Sequence, residues 1–310
     1  MDRLYILFII HIKYFWHECS FSVQCEPYSF FTKHMTTEFI LFITGLIAGT
    51  VDAIAGGGGL ISLPMLLSIG VPPHIALGTN KLQASIGTSI ATYSYYRHGW
   101  FSLKTIYKGL LFGFIGTVLG ALASQSIDSD ILKKIIPILL LVILIYTLLS
   151  PKLGAIEKKA RCNEFWFYVI FGFVMGFYDG FFGPGTGSFW VFSLTFFLGY
   201  HLTKSTAYAK VFNLKSNLIA TVCFALGNNI DYRIAFCMAA GQLIGGKLGA
   251  HLAIKKGAEI IRPIFICMVT ITIITLIYKN DDWRGVALLI AAASATSIIY
   301  LLKNKYLTRM

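Results

Sequence analysis

The chain is 310 residues long, with 56% hydrophobic and 13% charged residues and a formal net charge of +12. A soluble domain carries roughly 25% charged residues to keep its surface wet, so a soluble enzyme, a secreted disulfide scaffold and a disordered chain are all excluded. With a mean hydropathy of +0.71 and apolar residues gathered in long blocks, the sequence reads as an all-α, polytopic integral membrane protein.

Residues 1–34 form an extension whose apolar run, Leu4 to Trp16, is interrupted by His11 and Lys13. That run is marginal for a span and has no small-residue cleavage site, so it is not read as a signal peptide. His11, His17, Cys19 and Cys25 fit no standard metal-site spacing. Apolar runs then follow at 38–69, 75–97, 105–124, 131–150, 165–200, 204–227, 232–253, 259–278 and 285–302. The first and fifth are too long for one plain span, and each is interrupted by glycines, so each reads as a broken helix: 38–55 then 60–69, and 165–182 then 188–199. About eight or nine transmembrane helices result.

The basic residues lie between these blocks and not along one face, which marks topology determinants and excludes nucleic acid as a partner. The clearest linker, 151–164, carries Lys152, Lys158, Lys159 and Arg161 and should be cytoplasmic. Lys104 and Lys108 agree with that placement, whereas Lys255 and Lys256 conflict with it if every run crosses.

Internal self-similarity organises the rest. At an offset of 127, Gly45, Gly49, Asp52 and Gly56 match Gly172, Gly176, Asp179 and Gly183. At an offset of 129, Lys81 matches Lys210, Gly116 matches Gly245, and Leu119-Gly120-Ala121 matches Leu248-Gly249-Ala250. Two homologous four-helix repeats, 35–150 and 165–279, are expected, flanked by the extension 1–34, the linker 151–164 and a final span with its tail at 280–310. Paired broken helices in matching positions point to a transporter's central site. Whether the second copy is inverted depends on the number of crossings per half.

Three constellations carry chemistry. The first is the pair of breaks, Asp52-Ala-Ile-Ala-Gly56-Gly57-Gly58-Gly59 and Asp179-Gly180-Phe-Phe-Gly183-Pro184-Gly185-Thr186-Gly187. Half-helices beginning at Leu60 and Ser188 would aim their N–H groups and positive dipole ends at an anion; the alternative is that the glycines only allow close packing. The second is Lys81 and Lys210, cations within otherwise apolar helices, which face a partner or snorkel to the headgroups. Helical spacing sets Lys81, Ser85, Thr88 and Thr92 on one stripe and Lys210, Asn213, Asn217 and Thr221 on another. The third is Asp52 and Asp179, readable as partners of the lysines, as proton carriers, or as caps of the breaks. Asn80, Gln83 and Tyr178 are neighbouring donors. The glycine rows Gly113, Gly116, Gly120 and Gly241, Gly245, Gly249 read as helix-packing surfaces.

At these residues the chain resembles the TauE/SafE (TSUP) family of sulfite exporters, and within it the YfcA-like branch. The stretches that carry the resemblance are Asp52-Ala-Ile-Ala-Gly-Gly-Gly-Gly-Leu-Ile61, Ala76-Leu-Gly-Thr-Asn-Lys-Leu-Gln83, Gly176-Phe-Tyr-Asp-Gly-Phe-Phe-Gly-Pro-Gly-Thr-Gly-Ser188, Ala207-Tyr-Ala-Lys210 and Lys256-Gly257 with Ile261-Arg-Pro263. The resemblance implies a multi-pass permease of the bacterial inner membrane that handles small sulfur-containing anions such as sulfite and sulfonates. It supplies no residue roles. On the physical reading, substrate contacts are expected at Lys81, Lys210, Asp52, Asp179, Gly57, Gly58, Gly59, Gly185, Thr186, Gly187, Asn80, Gln83, Asn213 and Asn217. The expected partners are a small-anion substrate and the lipid bilayer, with no cofactor, no metal and no catalytic residue; self-association into a homo-oligomer is left open. Two rival readings stand beside transport: a membrane-embedded enzyme or lipid-phosphate handler, for which no HExxH motif or GxSxG elbow is present, and a non-transporting assembly partner.

Overall fold

The computed structural model describes residues 27–136, 138–139 and 159–256. They form helices α1 (Pro27–Ala55), α2 (Gly59–Ser68), α3 (Pro73–Arg97), α4 (Leu103–Ser126), α5 (Glu164–Phe181), α6 (Thr186–Phe197), α7 (Leu202–Leu226) and α8 (Tyr232–Lys256), with a further helical segment at 129–136. No strand occurs among the described residues. The apolar run Leu4 to Trp16 and its histidines and cysteines, most of the 131–150 run, most of the linker 151–164, and the runs 259–278 and 285–302 lie outside them. Residues up to Ile40 and from Leu41 onward form two compact units; the packing below is that of the second. Helix α1 begins at Pro27, ahead of the expected start at residue 38.

Local chemistry sets the boundaries. Gly70, at φ +90°, ends the turn after α2, and the Pro72-Pro73 pair opens α3, where a missing N–H is harmless. The Asn163 side chain accepts from the Phe165 N–H at 2.9 Å and caps α5. Pro64 sits inside α2, a short helix.

Contacts fix the direction of each helix. The turn at 98–102 meets the start of α7, with Trp100 against His201 (5.4 Å) and the Ser102 N–H donating to the Tyr208 hydroxyl at 3.3 Å; this end of the bundle is termed the front. The turn at 227–231 meets the start of α3, where the Asp231 N–H donates to Thr79 Oγ1 at 2.9 Å; this is the back. Helix α5 enters from the front. Helix α6 does not carry on to the back, because the Phe197 carbonyl accepts from the Arg161 N–H at 2.7 Å and Tyr200 donates to Glu164 at 3.0 Å, both beside the start of α5. The glycine break therefore folds α5 and α6 into a re-entrant hairpin rooted at the front. Helices α1 and α2 form its counterpart, because α1 runs parallel to α8 while α2 ends at the turn into α3, at the back.

This reversal removes the charge conflict met in the sequence. With a hairpin in place of a crossing, Arg97, Lys104, Lys108, Arg161, Lys204, Lys255 and Lys256 all fall at the front, while Lys133, Lys134 and Arg233 share the back with Asp128, Asp130 and Asp231.

The glycine rows pack helix against helix. A Cβ on Gly241, Gly245 or Gly249 of α8 would strike the Phe42, Leu46 or Thr50 carbonyl of α1, and Gly116 and Gly120 of α4 lie against the Phe173 and Phe177 carbonyls of α5 in the same way. Backbones this close leave no room for a side chain. Gly116→Leu is therefore expected to lower stability by about 1–3 kcal/mol or more through overpacking, read as a lower midpoint of thermal unfolding in detergent; an unchanged midpoint would mean that α4 and α5 stand further apart.

The outside of the bundle is apolar and the inside is in part polar, the reverse of a soluble protein. Leu111, Phe114, Ile115, Leu119 and Leu122 are exposed on α4 and Phe236, Ile244 and Leu248 on α8, while Asn80, Lys81, Gln83, Lys210, Asn213 and Gln242 are buried. Among the described residues, Thr37–Ile54 and Ile106–Ser126 are the helical stretches long and apolar enough to cross a bilayer by length and composition. Helices α3 and α7, of 25 residues each, carry the inward polar stripes that lower their mean hydropathy.

Candidate functional site

The two hairpin tips meet each other. Gly56 (φ +72°) has no room for a Cβ because the Gly187 backbone occupies that space, and Gly187 is blocked by Gly56 in return. Gly183 and Gly185, at φ +94° and +82°, make the second tip, and positive φ is what glycine alone adopts at little strain. The new helices begin at Gly59 and Thr186, one and two residues ahead of Leu60 and Ser188. The Gly57 and Gly58 carbonyls accept from the Leu60 and Ile61 N–H groups, both at 3.0 Å, which tightens the first turn of α2. Gly59 abuts Pro184 and Asn80, so the first tip is seated on the second. Thr186 Oγ1 donates to the Gly183 carbonyl at 2.6 Å, and Tyr178 to the Pro184 carbonyl at 2.8 Å.

Two ion pairs flank the tips, each joining one hairpin to the long helix of the other half. Lys81 Nζ of α3 donates to Asp179 Oδ1 of α5 at 2.6 Å, and Lys210 Nζ of α7 donates to Asp52 Oδ2 of α1 at 2.8 Å. Both lysine side chains are at most 1% exposed. Neither snorkels outward: each ammonium is satisfied inside the bundle by a carboxylate, as a buried cation requires. A Cβ at Gly183 would occupy the place of Lys81 Nζ, so the glycine is what lets that lysine reach Asp179.

The polar stripes of α3 and α7 face each other across this centre. Ser85 Oγ lies 3.2 Å from Thr221 Oγ1, Thr92 Oγ1 donates to the Lys210 carbonyl at 3.3 Å, and Lys81 Nζ donates to Asn217 Oδ1 at 3.4 Å. Thr88 Oγ1 donates to Asp52 Oδ2 at 3.1 Å, giving that oxygen a second donor. Asn80 Oδ1 accepts from Ser62 Oγ and from Gln83 Nε2. Asn213 Nδ2 presses on Gly187, while Asn213 Oδ1 and Asp179 Oδ2 are buried with no hydrogen-bond partner among the described residues. All fourteen residues expected at the site thus lie at the tips or on the helix faces around them, with Gln83 reaching them only through Asn80.

Known proteins settle the lineage. The profile of the family described as Sulfite exporter TauE/SafE matches residues 41–276. The chain belongs to the TauE/SafE family. A "Probable membrane transporter protein" of Haemophilus influenzae is 44% identical over 244 residues, covering 79% of this chain and 95% of the relative. The "Probable membrane transporter protein YfcA" of Escherichia coli is 39% identical over 251 residues, covering 79% and 93%. YunE of Bacillus subtilis, also named a probable membrane transporter protein, is 26% identical over 271 residues. No solved structure matches the chain. These TauE/SafE relatives mark it as a membrane transporter.

One charged residue of this TauE/SafE member escapes the sequence reading. Lys215 lies near the middle of α7, where its Nζ donates to Thr117 Oγ1 of α4 at 3.3 Å. At the offset of 129 its match is Ile86, so a search for recurring charges passes over it. Its depth in the helix was the available signal.

Proposed function

We propose that the chain is a permease for small anions, of the sulfur-containing kind that includes sulfite and organosulfonates, and that the anion binds where the hairpin tips meet. The observation that carries the proposal is the pair of buried lysine–aspartate bridges beside two helix N-termini. Ammonium groups already held in place, with backbone N–H groups and helix dipoles converging on the same point, suit an anion that competes with a carboxylate for a lysine. Binding energy then becomes the means of breaking a bridge, which is a route to coupling occupancy with motion.

The halves 35–150 and 165–279 act in this proposal as inverted repeats. The matched contacts support it: Leu46 with Gly245 mirrors Phe173 with Gly116, and Lys210 with Asp52 mirrors Lys81 with Asp179. So does direction, since one hairpin is rooted at the back and the other at the front. Alternating access follows by rocking one half against the other about the tips. The basic front is the cytoplasmic face by the positive-inside rule, in a multi-pass protein of the bacterial inner membrane.

The test is flux of labelled sulfite in proteoliposomes, with other small anions as competitors. Wild type is expected to show saturable flux, lost in Lys81→Met and in Lys210→Met, with thermal unfolding run on each variant to establish that it folds. Paired variants Lys81→Met/Asp179→Asn and Lys210→Met/Asp52→Asn, which leave no carboxylate unpaired, should also be inactive. Flux that survived in folded paired variants would move the anion away from the bridges; absence of flux of any anion in folded wild type would favour an assembly partner without transport.

A further inference from the structure

Three lysines of the centre, Lys81 and Lys210 buried and Lys215 half-buried, face two aspartates. Lys81 and Lys210 each hold a carboxylate, whereas the hydrogen bond of Lys215 Nζ is to a hydroxyl, Thr117 Oγ1 at 3.3 Å. An ammonium has three donors, and one neutral acceptor at that distance leaves it poorly satisfied. Lys215 stands ~20 Å from the front end of α7 and ~16 Å from the back, by the rise of 1.5 Å per residue. Neither end is within reach of the side chain, so its charge must be met inside the bundle.

An acceptor is waiting at the same level. Asp179 uses Oδ1 for Lys81, and its buried Oδ2 has no partner among the described residues. The α4–α5 seam places the two groups together. Gly113 and Thr117, which flank Lys215 Nζ, rest on Gly176 and Gly180 of α5, the residues on either side of Asp179 along that helix. A Cβ at Gly113 would collide with the ammonium, so glycine keeps the space that the lysine occupies. In the other half the arrangement is different. Ile86 stands at the matching position, and Asp52 Oδ2 is bonded by both Lys210 and Thr88.

We infer that Lys215 takes over Asp179 when a small anion draws Lys81 out of its bridge, so that the anion is bound on the Lys81 side of the centre and the Lys210–Asp52 bridge stays closed. This rests on the anion-permease reading above and sharpens it. An anion that captured Lys81 would strand Asp179 as a buried unpaired charge, the costly outcome in any low-dielectric interior. Lys215 removes that penalty by exchanging a hydroxyl for a carboxylate. On the other side, among the described residues, no second cation bonds Asp52, so the same exchange has no relief. Lys215 also gives the centre its surplus positive charge, which two matched bridges alone do not supply.

The pairing is tested first without any ligand, by thermal unfolding in detergent. Lys215→Met is made in wild type, in Lys81→Met and in Lys210→Met. In the Lys81→Met background Lys215 is the remaining partner of Asp179, so its loss is expected to lower the unfolding midpoint at least twice as far as in wild type. In the Lys210→Met background the loss should match that in wild type. Equal drops in all three backgrounds would overturn the inference. If Lys81→Met does not fold, Lys81→Gln, whose amide can still bond Asp179, takes its place. The second test is sulfite flux: Lys215→Met should raise the half-saturating concentration at least tenfold and Lys215→Arg should restore it to within about threefold, whereas an unchanged half-saturation in Lys215→Met would overturn the inference. Absence of sulfite flux in wild type would count against the proposed substrate alone, because the unfolding comparison is read without ligand.

Discussion

Removing Lys210 alone is expected to destabilise the protein far more than removing Lys210 together with Asp52. The bridge between them lies inside the bundle, with the lysine side chain 0% and the aspartate 15% exposed. Two charges withdrawn from water gain little net stability from each other, yet loss of one partner leaves the other charged and unpaired, at about 3–5 kcal/mol. Lys210→Met should therefore lower stability by that amount, and Lys210→Met/Asp52→Asn should recover most of it, with Thr88 still able to bond the amide oxygen at position 52. The comparison is a double-mutant cycle on unfolding midpoints, and the two substitutions in contact should be strongly non-additive. Simple additivity would mean that the bridge is open in the membrane. Lys81→Met should fall short of the Lys210→Met loss, since on the inference above Lys215 can take over Asp179, whereas among the described residues no second cation bonds Asp52.

The second large effect belongs to Gly56. Gly56→Ala puts a side chain in the left-handed region, at about 1–2 kcal/mol, and drives its methyl into the Gly187 backbone, for which overpacking adds about 1–3 kcal/mol. Gly70 separates these contributions. It has φ +90° but nothing within 4 Å of an added Cβ, so Gly70→Ala should show the backbone part alone and keep its sulfite flux. If Gly56→Ala proved as mild as Gly70→Ala in both unfolding and flux, the hairpin tips would not be in contact in the working protein.

The sequence made some of this plain and concealed the rest for physical reasons. Helix positions follow from apolar runs because a bilayer demands continuous intrahelical hydrogen bonding, and α3, α4, α7 and α8 lie within a few residues of the runs that announce them. Asp52, Lys81, Asp179 and Lys210 stand out because each recurs, the aspartates at an offset of 127 and the lysines at 129. Their pairing is not legible: which lysine meets which aspartate depends on the hairpins, and a hydropathy trace has no direction. An apolar stretch that turns back at a glycine looks the same as one that continues. Lys255 and Lys256 held the missing information, since their conflict with the linker charges was the mark of a run that does not cross. Lys215 was hidden by the criterion that exposed the others, having Ile86 as its counterpart.

The distances along the chain within the central bridges bear on how the protein is made. Lys81 meets Asp179 across 98 residues, and Lys210 meets Asp52 across 158. At a synthesis rate of roughly 5–20 residues per second, the first aspartate is built about 8–30 s before the lysine that neutralises it. Through most of that interval the first hairpin has no second tip to rest on, and its bare glycine backbone and carboxylate need water or the insertion machinery as a substitute. Assembly of the centre is therefore a late event in biogenesis, gated by the arrival of α7, and a nascent chain halted before Lys210 should be a preferred substrate for membrane quality-control proteases.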